Sequence, residues 1–291
     1  MLVATLLWSM AGVVTRHLDS AAAFETTFWR SFFNAAALLV VLSVLRGPRR
    51  LAATLRDGGP SLWLSGACWA VMFTAFMVAL TMTSVANVLV TMAIAPLLTA
   101  VVARVALGQR LPLRTWAAIV VAGIGIAWMY AGQIGTIDAR GVAGIAVALA
   151  VPIAAAANWT VLQKTRASGA DLLPAVLIGA LVSSALTLLP SLPFRASTHD
   201  LLLLALLGIA QLAIPCLIAV VAARTLKAPE AALLSLLEIV FGVSWTWLAG
   251  VEAPGRDALI GGALVVGALV ANESLALRRA GSIAPPEPRR G

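Results

Sequence analysis

Glu238 is the one acid set deep inside a long apolar stretch of this chain, roughly 12 Å along the helix axis from the start of the run 229–250. An ionised side chain at that depth in a bilayer costs about 2.5–3.5 kcal/mol on insertion scales, so such a residue marks either function or a paired contact. Two readings stand. Glu238 is a carboxylate that exchanges a proton or holds a substrate ammonium group, or it is a neutral, hydrogen-bonded group that locks two helices. Arg104, close to one end of its apolar run, reads as a cation snorkelling to the interface. Arg30, Glu25, Glu230 and Glu273 also lie near the ends of their runs and read as interfacial anchors.

Uncharged polar and aromatic side chains form a second set at depth: Trp8, Ser9, Asn34, Asn87, Asn158, Trp159, Gln163, Gln211, Trp245 and Trp247. Amide and carbonyl groups suit the two ends of a zwitterion, and an aromatic or sulfur wall suits an apolar side chain. Trp8-Ser9 and Asn158-Trp159 each place that combination on one helix. Met72, Phe73, Phe76 and Met77 add a flexible stripe at i, i+1, i+4, i+5 spacing. The candidate substrate-binding set is therefore Trp8, Ser9, Met72, Phe76, Asn87, Asn158, Trp159, Gln211, Glu238 and Trp245. The plainer alternatives are interhelical hydrogen bonds for the amides, worth about 0.6 kcal/mol each, packing for the stripe, and interfacial anchoring for the tryptophans, to which Trp63, Trp69 and Trp128 are assigned.

Enzyme chemistry finds little to use. His17 and His199 are the only histidines, and there is no zinc-binding histidine pair, no carboxylate pair on one helix and no Gly-rich phosphate loop. Neither a cofactor nor a metal is expected. No link is long enough to hold an ATP-binding domain, and no filter-like carbonyl loop suggests a channel. Cys68 and Cys216 lie in apolar runs, where a free thiol behaves as a small hydrophobe.

The medium that positions these groups follows from composition. The chain is 61% hydrophobic and 11% charged, with a mean hydropathy of +0.99, against roughly 45–50% apolar and about 25% charged for soluble domains. Such a surface belongs in lipid. The net charge of +8 does not point to nucleic acid, because the basic residues sit in short gaps between apolar runs and not on one polar face.

At about 20 apolar residues per crossing, the expected spans are 1–17, 24–45, 61–81, 84–107, 114–133, 141–163, 172–190, 201–223, 229–250 and 257–277. Residues 58–103 carry no charge and as one helix would measure roughly 69 Å, more than twice a hydrocarbon core of about 30 Å, so they must turn, and Thr81–Ser84 is the most polar place to do so. Links two, four, six and eight and the C-terminal tail hold most of the 20 lysines and arginines. Arg140, Arg195 and Arg256 lie on the other side, with Arg16 and Arg30 at helix ends. The positive-inside rule then places both termini in the cytoplasm and requires an even number of spans. Pro96, Pro152 and Pro215 fall inside spans four, six and eight, where each removes a helix hydrogen bond.

The expected fold class is an all-α integral membrane protein of ten transmembrane helices, arranged as two inverted five-helix repeats, 1–135 and 141–277, followed by a basic, Pro-rich cytoplasmic tail, 278–291. An odd number of spans per repeat forces the halves to enter the membrane from opposite sides, an arrangement found in carriers that rock one unit against the other around a midplane site. The expected cavity is lined by spans one, three, four, six, eight and nine. Its expected partners are a small-molecule substrate and membrane lipid, with proton coupling through Glu238; oligomeric state is not legible.

Specific motifs narrow the class. The first half carries Ala86, Ala95-Pro96-Leu97, Leu107-Gly108-Gln109, Trp116 and the glycines Gly123 and Gly125. The second carries Ala228-Pro229-Glu230-Ala231-Ala232-Leu233-Leu234-Ser235-Leu236-Leu237-Glu238, then Gly250-Val251-Glu252 and Gly261-Gly262 with Gly267. Together with Trp8 and Phe28–Phe32, these resemble the paired signature of EamA-type members of the drug/metabolite transporter superfamily. Ile239 departs from a proline common there, and Gln109 from a glutamate. The phosphate-binding Lys/Arg cluster of sugar-phosphate members has no counterpart. The resemblance implies a metabolite carrier of the bacterial inner membrane, closest in style to exporters of amino acids, aromatic ones included. A drug or other metabolite efflux carrier of the same superfamily, and less readily a membrane-embedded enzyme, remain the alternatives.

Overall fold

Without water to satisfy backbone N–H and C=O groups, a lipid-embedded chain must pair them within its own helices, and the described residues contain helix and no strand. The structure, a computed structural model, describes residues 1–15, 17–83, 85–131, 138–248 and 255–282. Arg16, Ser84, the Gly250-Val251-Glu252 motif and tail residues 283–291 lie outside them.

The elements are α1 (Leu2–Trp8), α2 (Ala11–Thr15), α3 (Ala23–Arg46), α4 (Pro48–Asp57), α5 (Pro60–Met82), α6 (Val85–Met92), α7 (Ala95–Leu107), α8 (Leu113–Tyr130), α9 (Ala139–Thr165) and α10 (Leu173–Leu188). There follow α11 (Thr198–Leu206), a π-helical stretch (Leu207–Ala213), α12 (Ile214–Ala222), α13 (Ala228–Ser235), α14 (Leu237–Leu248) and α15 (Arg256–Ser282). Among the described residues seven helical runs are long and apolar enough to cross a membrane, and Leu2–Thr15 and Leu113–Met129 are shorter apolar runs. The charge-free stretch divides at Thr83, whose extended backbone closes α5. One element was not expected from the sequence. Link two holds α4, begun by Pro48, which buries Leu51 and leaves Arg49 and Arg50 exposed.

Packing is by long helix pairs. α5 lies along α9 and α10, α10 along α3, α8 along α15, and α7 along α9 and α13; α1 rests on α12 and α14. Glycines permit the closest crossings. A Cβ on Gly261 would lie 2.2 Å from the Gly125 carbonyl oxygen, and one on Gly125 would lie 2.7 Å from that of Gly261, so α8 and α15 meet backbone to backbone. Gly208 plays the same part against α3, where an added Cβ would lie 2.7 Å from the Arg30 carbonyl oxygen.

Two carboxylates fasten the loops at the end of the bundle expected to be extracytoplasmic, and both accept mainly backbone N–H groups. Asp200, fully buried at the start of α11, accepts from the amides of Asp19 at 2.8 Å, Ser20 at 3.0 Å, Ala21 at 3.1 Å and Ser197 at 3.3 Å, and from the Ser20 hydroxyl at 2.7 Å. Glu25, fully buried in the first turn of α3, accepts from the amides of Arg195 at 2.9 Å and Ala196 at 2.8 Å and from the Trp29 indole at 3.3 Å. Glu25 is thus an internal clamp and not the interfacial anchor expected from its place near a span end. Asp19, His199 and Asp200 have ligand atoms within 4.8 Å of one another, but the Asp200 oxygens are already occupied by these donors. Asp200→Ala is expected to lower stability by about 2 kcal/mol, because it orphans several donors at once, and a melting curve in detergent should drop by roughly 5 °C; an unchanged midpoint would show that the loop holds itself.

At the opposite end Arg46 pairs with Asp171, and Gln163 joins three passages. Its amide donates to Gln109 Oε1 at 3.2 Å while its carbonyl accepts the Ala228 N–H at 2.7 Å.

Candidate functional site

Three passages lose regular α-helix midway, and the losses coincide in space. Pro96 has no N–H to give the Met92 carbonyl; the helix breaks at Ala93-Ile94 and restarts as α7. Pro215 likewise has none for the Gln211 carbonyl, and the stretch just before it is π-helical, a form that recurs at functional sites. Between α13 and α14 the chain breaks at Leu236 with no proline nearby. There the Leu236 and Ile239 amides bond three residues back, to Leu233 at 3.2 Å and Leu236 at 3.1 Å, and the Ser235 hydroxyl bonds the Ala232 carbonyl at 2.7 Å. Short side-chain bonds of this kind compete with the helix ladder. Ile239 therefore does the work of the missing proline only in the sense that the break forms without one. Pro152 is different again, lying inside the continuous helix α9.

These interruptions surround a cavity of about 130 Å³. Of the ten residues picked from the sequence, six line it: Trp8, Met72, Phe76, Trp159, Gln211 and Glu238. The other four are engaged elsewhere. The Trp245 indole donates to the Ser9 hydroxyl oxygen at 2.9 Å, tying α14 to the end of α1. Asn158 accepts from Ser65 at 2.6 Å across the α5–α9 contact, and Asn87 donates to Thr83 at 2.9 Å. For Asn158 this is the interhelical hydrogen bond weighed as the alternative above.

Two lining residues contradict their sequence assignments. Arg30, read as an interfacial anchor, is 2% exposed and faces the cavity, because α3 starts at Ala23 and puts it roughly 10 Å inside at about 1.5 Å per residue. Trp69, set aside as an interfacial tryptophan, is 3% exposed, stacks near Phe73 and lines the same space. For Trp69 the signal was periodicity: it lies at i−3 and i−4 from Met72 and Phe73, on the stripe already identified.

The cavity is mostly apolar, with a small convergent set of polar groups. Gln211 donates to the Trp8 carbonyl at 3.1 Å, while its own Oε1 is buried without a partner. The Trp69 Nε1 and Arg30 Nε atoms are likewise buried and unpartnered. A second guanidinium nitrogen of Arg30 reaches only the Phe73 carbonyl, at 3.5 Å. Glu238, in the first turn of α14 beyond the break, lines the same cavity as Arg30, and the two form no ion pair. The cation and the anion thus share one cavity without touching.

Residues 1–131 match the EamA-like transporter family, in keeping with an EamA-type member of the drug/metabolite transporter superfamily, and the match ends at the close of α8. No curated protein matches the chain. A solved structure described only as "Crystal structure of protein" shares the fold, with a TM-score of 0.78 at 20% identity over 95% of this chain and 96% of that one.

Proposed function

We propose that this multi-pass membrane protein is a secondary transporter that carries an amino acid with an apolar side chain, aromatic or otherwise bulky, by alternating access, exporting it across a bacterial inner membrane with both termini cytoplasmic. The observation that carries the reading is the cavity: interrupted helices from both halves of the chain meet around it, and it holds one buried cation and one carboxylate in an apolar wall. Broken helices that meet at a central site are the construction by which carriers offer polar groups at depth.

Helix pairing supports two inverted repeats of five spans. Counting ten helical passages, α6–α7 as the fourth and α13–α14 as the ninth, the main pairings have counterparts five passages on. The α5–α10 contact corresponds to that of the π-helical stretch with α3, and the α5–α9 contact to that of α12 with α1. The α3–α10, α7–α13 and α8–α15 contacts map onto themselves, as a two-fold axis between repeats requires.

The volume of about 130 Å³ falls below the roughly 300–1,000 Å³ of pockets for drug-sized ligands, which favours a metabolite. A bulky side chain enters if Met72 and Met92 swing aside, as unbranched methionines do. The test is counterflow in proteoliposomes preloaded with tryptophan, phenylalanine, methionine or threonine. Saturable uptake of the labelled amino acid only when its unlabelled form is inside is the expected result. Silence across the panel from folded protein would sink the amino-acid reading.

A further inference from the structure

Arg30 and Glu238 line one cavity without forming an ion pair, and the unpartnered polar atoms around it include both donors and acceptors. Arg30 and the Trp69 indole offer donors; Glu238 and the Gln211 Oε1 offer acceptors. Buried polar atoms are nearly always paired, and a buried guanidinium with no carboxylate partner is more costly still. Three such atoms lining one cavity, on α3, α5 and the π-helical stretch, call for a molecule that brings them partners. That molecule has to satisfy donors at one end and acceptors at the other while adding no net charge.

We propose that the cavity binds a zwitterion in a single orientation, with Arg30 and the Trp69 N–H holding its carboxylate and Glu238 and the Gln211 carbonyl holding its ammonium group. This deepens the amino-acid reading above and rests on it. Selectivity then comes from completeness. An amine leaves Arg30 buried and unanswered, a carboxylic acid leaves the half-buried Glu238 without a cation, and sites built around a hydrogen-bonded group reject analogues lacking it by far more than an apolar pocket rejects a missing methylene. The aromatic and methionine wall, Trp8, Met72, Phe76 and Trp159, takes the side chain and discriminates weakly.

Three probes sharing one hydrocarbon test the polarity: phenylalanine, 2-phenylethylamine and 3-phenylpropionate, compared as ligands of the purified full-length chain by thermal shift and as competitors of counterflow. The expected order puts the amino acid ahead of both analogues by roughly 10²-fold or more. In Arg30→Gln the amine overtakes the acid, in Glu238→Gln the acid overtakes the amine, and Arg30→Lys keeps the wild-type order. Analogues that bind the unmodified protein as well as phenylalanine would overturn the proposal without any variant having to fold, as would an equal loss for all three probes in both Gln variants. Counterflow with any amino acid alongside such a result would leave the transport reading intact; failure of every amino acid to exchange or bind would remove both.

Discussion

Glu238→Gln is expected to slow amino-acid counterflow by roughly 10²-fold or more and to flatten what pH dependence the wild type has. The glutamine keeps the size and hydrogen-bonding capacity of the side chain but cannot carry charge, so it leaves Arg30 as the single ionised group in an apolar cavity. A 10²-fold loss corresponds to about 2.8 kcal/mol at about 1.4 kcal/mol per factor of ten, the scale of one hydrogen bond to a charged group. Initial rates across a pH series, with melting curves on the same preparations, separate the two readings of this residue. A slowed, pH-flat carrier of normal stability means that Glu238 acts on substrate or proton. A destabilised carrier with an unchanged pH profile means that it locks helices, and unchanged rate and profile together would show that the carboxylate takes no part.

Gly261→Val is the second large effect, and it is structural. The new Cβ would lie 2.2 Å from the Gly125 carbonyl oxygen, 2.4 Å from Met129 Cγ and 2.9 Å from the Met129 amide nitrogen. Two of these atoms are backbone and cannot swing away, so α8 and α15 must separate along their length. Overpacking of this sort costs about 1–3 kcal/mol, and backbone-to-backbone contact puts it at the upper end, for a fall in melting temperature of roughly 10 °C. Gly267→Val on the same helix is the control, since nothing lies within 4 Å of its added Cβ. Equal behaviour of the two variants in a detergent melt would mean that the α8–α15 crossing contributes no stability.

That contrast marks where the sequence stops being legible. Glycines at 123, 125, 261, 262 and 267 read alike as small residues in apolar spans, yet only Gly125 and Gly261 stand where two backbones meet. Helix existence was legible, because uninterrupted apolar runs in lipid have one way to satisfy their backbone, and seven runs of the described residues are helices long and apolar enough to cross a membrane, with shorter apolar helices at Leu2–Thr15 and Leu113–Met129. Helix rotation was not. A helix that is apolar all round has no polar face to say which side turns inward, so Asn158 and Trp159, adjacent in sequence, were treated together although one bonds Ser65 and the other faces the cavity. Arg30 was misplaced for a related reason: distance from the end of an apolar run stood in for depth, while α3 begins at Ala23 and the 195–196 loop is held over its first turn by Glu25. The resemblance named a family whose model residues 1–131 match, but motifs made of small apolar residues mark packing surfaces and say little about a pocket.

The clamps at Asp200 and Glu25 carry a consequence for how freely the loops can drift in sequence. What the two carboxylates grip at residues 19–21 and 195–197 is chiefly main-chain amide, which nineteen of the twenty amino acids supply equally. Side chains at 19, 21, 195 and 196 can be exchanged with little penalty so long as the loop keeps its length and path, whereas Ser20 and Ser197 also bond Asp200 through their hydroxyls, and the residue barred by construction is proline, the one that has no hydrogen to offer.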